Sequence, residues 1–250
     1  MKVALFGSTG LVGKNVLKLL VRLDQVEHVY CPVRRVPEPA ETGILDGSAG
    51  SSTEAAKIDF DVVDFEQVDK LREKFAGLDA AICCLGTTIK QAGSKLAQEK
   101  IDVRLPLSLA AVAKKAGVRH FLCVSAQGAN SHSPFFYNRL KGMLEEGLTM
   151  IGFEALTLVR PSLLLGKHKD KRFGEELMQK IFGKHLAILP ARIRPVFAES
   201  VAAHLVASML KPPFDHVCAS DGVKGKRIIY NRILAQTSAD VFLERVLLRR

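Results

Sequence analysis

The chain has 250 residues, with 36 lysines and arginines against 26 acids, a net charge of +10. Hydrophobic residues make up 48% and charged residues 25%, an ordinary globular balance for one large domain. No apolar run approaches the ~20 residues of a membrane-spanning helix. The basic residues are scattered apart from short runs at 167–172 and 244–250, without interleaved aromatics; neither a membrane nor a nucleic acid is the expected partner. The five cysteines (31, 83, 84, 123 and 218) form no C-x-x-C. They read as buried reduced thiols, not as a metal site, and place the protein in the cytoplasm.

Lys2–Phe6 (KVALF) reads as a first strand, not as a secretion signal, and 11–23 as an amphipathic helix. His28–Val33 (HVYCPV) is a second strand, followed by a Pro-, Gly- and Ser-rich loop over 36–56. Strand patterns return at 57–63, 79–85, 119–125 and 153–160. Helical patterns fill 66–75, 95–116 and 135–151, the second kinked near Pro106. Apolar strands alternating with helices predict an α/β fold with a doubly wound parallel sheet. After 162 the alternation fades, leaving helices near 173–183 and 199–210 and a basic tail. This stretch, 162–250, reads as a small substrate-side region within a single domain, 1–250.

The turn after the first strand carries Gly7, Gly10 and Gly13 as G-x-x-G-x-x-G. A P-loop is excluded, because Gly7 and Gly13-Lys14 stand one residue too far apart and Asn15 replaces the Mg²⁺-binding hydroxyl. Between a strand and a helix, such glycines let backbone approach a pyrophosphate. Ser8 and Thr9 add hydroxyls, and the amides around Gly10, Leu11 and Val12 point at the anion. The second strand ends in Arg34-Arg35 where an NAD-specific fold carries an acid. A guanidinium fork matches a phosphate dianion, so the expected cofactor is NADP(H), held through its 2′-phosphate. Asp64, beside Phe65, either binds the adenine amino group or caps the following helix. Leu85, Gly86 and Thr87 end the fourth strand beside the cofactor's ribose.

Tyr137-Asn138-Arg139-Leu140-Lys141 places a phenol and an ammonium on one helix face. A free phenol titrates near ~10, and a close ammonium favours the phenolate. Lys141 also reaches ribose hydroxyls, and Ser125, at a strand's carboxyl end, holds a substrate carbonyl or hydroxyl.

In order along residues 1–211, GSTGLVG, Arg34-Arg35, VVDFE, CCLGTT, VRHFLCVSAQGA, YNRLKG and VRPSLLLG resemble the atypical short-chain dehydrogenases/reductases, in particular the Tat-interactive protein, oxidoreductase-like family. The resemblance implies a Rossmann-like fold binding NADP(H), with Tyr137 as proton donor or acceptor beside Lys141 and Ser125. It also implies that Pro161–Leu164 line the nicotinamide and that Arg172 reaches the cofactor phosphates. By superfamily analogy, the helices at 95–116 and 135–151 form a homodimer face. The superfamily's relay asparagine has no counterpart in 94–117, and the tail after about Arg232 matches nothing in the family. Two functions are expected: reduction of a small carbonyl substrate (or oxidation of the alcohol), or NADPH sensing through a protein partner without turnover. A nucleotide-sugar epimerase shares the glycine turn and Y-x-x-x-K but usually carries a longer C-terminal domain.

Overall fold

The computed structural model describes residues 1–38, 41, 52–166 and 190–236. The expected helix near 173–183, Arg172, the basic tail and most of the 36–56 loop lie outside the described residues.

Seven parallel strands form the main sheet: β1 (Lys2–Phe6), β2 (His28–Val33), β3 (Ile58–Val62), β4 (Ala80–Cys83), β5 (His120–Val124), β6 (Ala155–Arg160) and β9 (Lys226–Tyr230). Their order is β3-β2-β1-β4-β5-β6-β9. A short parallel pair, β7 (Leu164–Leu165) and β8 (Val196–Phe197), stands beside it. The order reverses between β1 and β4, where Phe6 pairs with Cys83. Connections leave this point in opposite directions, which opens a crevice at the carboxyl ends of the two strands.

Period-2 side-chain direction sorts each strand between two cores. Val3, Leu5, Ile82, Leu122 and Val159 face one core, while Ala4, Phe6, Cys83, Cys123 and Leu158 face the other. The first core is covered by α1 (Gly13–Val21) and, out of chain order, by a helix from the far end, Ala198–Leu210. The second lies under Arg72–Phe75, Leu105–Lys115 and Phe136–Ile151. In chain order the remaining α-helices are α2 (Ser52–Ala56), α3 (Arg72–Phe75), α4 (Ile89–Ala92), α5 (Lys95–Glu99), α6 (Leu105–Lys115), α7 (Phe136–Ile151), α8 (Ala198–Leu210) and α9 (Asn231–Leu234).

Three departures from the sequence reading have physical causes. The helix expected over 66–75 opens as a 3₁₀ segment, Phe65–Leu71, and turns α-helical only at Arg72. The kink near Pro106 is a π-helical turn, Lys100–Arg104, closed by Leu105 N–H donating to the Lys100 carbonyl. Proline has no N–H to continue the α ladder, and the wider turn absorbs the irregularity before the ring. Alternation after 162 does not stop: β9 adds a seventh strand against β6. Its flanking lysine and arginine, in KRIIY, hide the strand pattern.

Candidate functional site

The glycine turn sits at the point of reversal. Gly7 has φ +81°, and a Cβ there would press to 3.0 Å on the Cys84 carbonyl carbon. A Cβ on Gly13 would lie 2.0 Å from the Gly7 oxygen. These positions therefore demand glycine for close passage of backbone past backbone. Helix α1 begins at Gly13 behind Val12, with no side-chain cap and no acid in its first turn. An uncapped N-terminus without an acid leaves amides and positive dipole for an external anion, and the turn fits a dinucleotide's pyrophosphate. Thr9 is exposed, whereas Ser8 is buried and its hydroxyl lies beside the Cys31 thiol, itself pushed up to about 12 by burial. Ser8 thus contributes wall, and Thr9 is the open hydroxyl.

From this turn a cleft of about 360 Å³ runs past Gly7, Ser8, Thr9, Val33, Arg34, Arg35, Phe65 and Leu85. It brings together four separate stretches singled out in the sequence. The two arginines differ. Arg35 grips Glu41 with both terminal nitrogens, at 2.8 and 2.7 Å, and Glu41 also lines the cleft. Arg34 is exposed, with no ion pair to any described residue. Asp64 is the N-cap of the 3₁₀ segment: it accepts from the Glu66 amide at 2.9 Å and from Gln67 Nε2 at 2.7 Å. Those two bonds hold its carboxyl below the usual range.

Along α7, Tyr137, Lys141 and an unanticipated Glu145 follow one another at i, i+4 and i+8. Tyr137 is 43% exposed and Lys141 2% exposed, with the Lys141 nitrogen 5.9 Å from the phenol ring centre. A Cβ on Gly142 would fall 2.0 Å from the Ser131 nitrogen. The glycine closing YNRLKG thus lets the loop after β5 cross tightly over this helix. Ser125 is buried, and its hydroxyl donates to Glu145, which is paired to Arg160 through both oxygens. The serine is thereby fixed from behind by a buried acid, which leaves its oxygen lone pairs to accept from a hydroxyl.

Lys141 itself faces Asp102, fully buried on the π turn, at 3.9 Å. Asp102 accepts from the Thr87 amide at 2.8 Å and from Gln98 Nε2 at 3.4 Å, while Gln98 also donates to the Thr87 carbonyl at 3.0 Å. Burial pushes the Asp102 carboxyl up, opposed by Lys141 and by these bonds. Burial disfavours the Lys141 ammonium, yet its net direction is upward, because Tyr137, Asp102, Cys123 and Cys83 all support the charge. Gly86 adjoins this cluster; a Cβ there would lie 3.9 Å from the Lys141 nitrogen.

Leu164, expected at the nicotinamide, lies in β7 and packs against the first core. Its strand is moored by Asn231 of α9. That fully buried amide accepts from the Ser162 N–H and donates to the carbonyls of Ala191, Arg192 and Arg194. Sequence reasoning missed Glu41, Asp102, Glu145 and Asn231. For Glu145 a signal existed: Y-x-x-x-K-x-x-x-E continues one helix face. The others are joined to the site by folding alone.

A family described as NAD(P)H-binding matches residues 7–164. The chain is 31% identical over 215 residues to protein FMP52, mitochondrial, of Meyerozyma guilliermondii, covering 85% of this chain and 87% of that one. Protein HTATIP2 of Rattus norvegicus is 38% identical over 123 residues, 49% of this chain and half of that protein. Among solved structures, a UDP-glucuronic acid 4-epimerase from Bacillus cereus in complex with NAD superposes with a TM-score of 0.61 at 15% identity, covering 92% of this chain and 77% of that one. MoeE5 in complex with UDP-glucose and NAD gives 0.62 at 13% identity, covering 91% and 75%. At such identities these structures establish the shared fold alone. The cytoplasmic expectation is corrected here: further relatives from Emericella nidulans and Lodderomyces elongisporus are also named as mitochondrial FMP52 proteins. Reduced buried thiols do not distinguish the cytosol from other reducing compartments, so the cysteine argument never carried that conclusion.

Proposed function

The chain belongs to the NAD(P)H-binding family, with atypical short-chain dehydrogenase/reductase relatives, and from that premise we propose that it is an NADP(H)-dependent reductase of a carbonyl substrate. The observation that carries the reading is the placement of the Lys141 nitrogen against Gly86, the residue after the cleft-lining Leu85. An uncapped glycine turn, an exposed arginine and a phenol–ammonium pair lie along the carboxyl edge of one sheet. Such a cofactor supplies hydride. Gly7, Gly10–Gly13 and Thr9 hold its pyrophosphate. Arg34 reads the 2′-phosphate, joined by Arg35 once Glu41 lets go. Phe65 and Leu85 border the adenosine, and Gly86 and Thr87 the ribose. Ser125 turns its hydroxyl from Glu145 to the substrate and so orients the carbonyl oxygen. Tyr137 gives that oxygen its proton, and Lys141 stabilises the phenolate left behind.

The test is a titration followed by nicotinamide emission, which the absence of tryptophan leaves unobscured, and then a screen of aldehydes, ketones and quinones. NADPH binds more tightly than NADH. Tyr137→Phe loses turnover and keeps NADPH binding. Failure of both nucleotides to bind overturns the reading. The second reading is an NADPH sensor acting through a protein partner. The Arg35–Glu41 pair favours it, because an internal carboxylate that a 2′-phosphate displaces couples cofactor binding to loop position. A cellular phenotype that survives Tyr137→Phe but not Arg34→Ala with Arg35→Ala decides for the sensor.

A further inference from the structure

The strongest feature left unassigned is the buried carboxylate behind Lys141. We propose that Asp102 is a positioning residue of this site, a fixed anion that anchors the Lys141 ammonium beneath Tyr137 and ties it to the Thr87 loop at the end of β4. The inference deepens the reductase reading and rests on it for the role of Lys141. Its own support is geometric.

Asp102 is completely buried, and an acid is almost never so unless paired. One oxygen takes the Thr87 amide at 2.8 Å, and the other faces the Lys141 nitrogen at 3.9 Å. Gln98 closes the cluster by bridging the same acid and the Thr87 carbonyl. The π turn carries this acid, at Lys100–Arg104, and π turns recur where a helix must present a functional side chain off the α register. A lysine amine so deeply buried loses its charge readily without an anion beside it. The other groups that support the charge are Tyr137 on its own helix, Cys83 on β4 and Cys123 on β5. Asp102 is the one carboxylate among the groups that support the charge, and the Thr87 amide and Gln98 hold it in place.

The experiment labels the full chain with lysine carrying ¹³C at Cε, assigns Lys141 by its loss in Lys141→Arg, and follows the resonance against pH. Asp102→Asn keeps an acceptor for Thr87 and removes the charge. The expected result is a fall of the Lys141 midpoint by about one unit or more, with the other lysines unmoved. An unchanged Lys141 midpoint overturns the proposal. If Asp102→Asn does not fold, the double variant Asp102→Asn with Lys141→Met decides. Recovery of folding on removing both charges supports the pairing, and no recovery overturns it. Failure of the reductase reading is separately visible: wild-type protein then neither binds NADPH nor turns over a carbonyl, whatever Lys141 does.

Discussion

Arg34 and Arg35 are neighbours in sequence but unequal in chemistry, because Glu41 occupies the guanidinium fork of one of them. Hydrogen bonds to charged groups contribute ~1.5–3 kcal/mol. Arg34→Ala accordingly weakens NADPH binding roughly 10–100-fold and NADH binding far less. Glu41→Gln acts in the other direction. It releases Arg35 and tightens NADPH ~3–10-fold while leaving NADH unchanged. Paired nucleotide titrations check both; tighter NADH binding in Glu41→Gln would show that the carboxylate acts on something other than the 2′-phosphate. Gly13→Ala is a steric case. Its Cβ has no room 2.0 Å from the Gly7 oxygen, so α1 must lift from β1. Stability falls by ~1–3 kcal/mol and cofactor binding is lost with it, measured by thermal unfolding and titration.

Helix α7 is the element on which catalysis and stability meet. One face carries Tyr137, Lys141 and Glu145, while Leu144 and Leu148 pack into the second core. Glu145 joins Ser125 of the β5 edge to Arg160 of the β6 edge, so the helix is locked to two strands by one acid. Removing one partner of a buried ion pair costs ~3–5 kcal/mol. For a chain of this size, Glu145→Gln lowers the melting temperature by roughly 6–12 °C at the lower end of that cost. NADPH binding at low temperature survives, since Glu145 is not among the residues lining the cofactor cleft. A melting temperature equal to wild type would mean that the Arg160 pair is energetically idle.

The molecule as a whole closes its sheet with residues from the far end of the chain. Helix α8 packs on α1, and β9 extends the sheet beyond β6. The arrangement buries His120 on β5, where it meets the Thr157 hydroxyl at 3.0 Å. Burial, assisted by the nearby Arg227 charge, lowers this imidazole to about 3, against ~6.5 for an unfolded histidine. Below pH ~6.5 the unfolded chain takes up a proton that the folded chain refuses, so stability falls as pH drops through that window. His204, buried on α8 and also lowered by burial, acts with the same sign. Urea midpoints measured from pH 8 downward decline below ~6.5. His120→Gln makes the decline shallower, and an identical slope in that variant would assign the acid sensitivity to other groups.

Much of this was written locally. Strands β1, β2, β4, β5 and β6 announced themselves because a parallel sheet buried on both faces needs continuous apolar runs. The glycine turn, the arginine pair and Y-x-x-x-K were legible because each is a spacing within one element. What the sequence did not determine is which distant groups finish the site. Glu41 turns back on Arg35, Asp102 faces Lys141 from a helix 39 positions earlier, and Asn231 moors Ser162 from 69 positions away. Polar pairing between such positions has no period and no motif. It is decided only when tertiary packing strips water from those side chains and leaves each buried polar atom to find its partner in the fold.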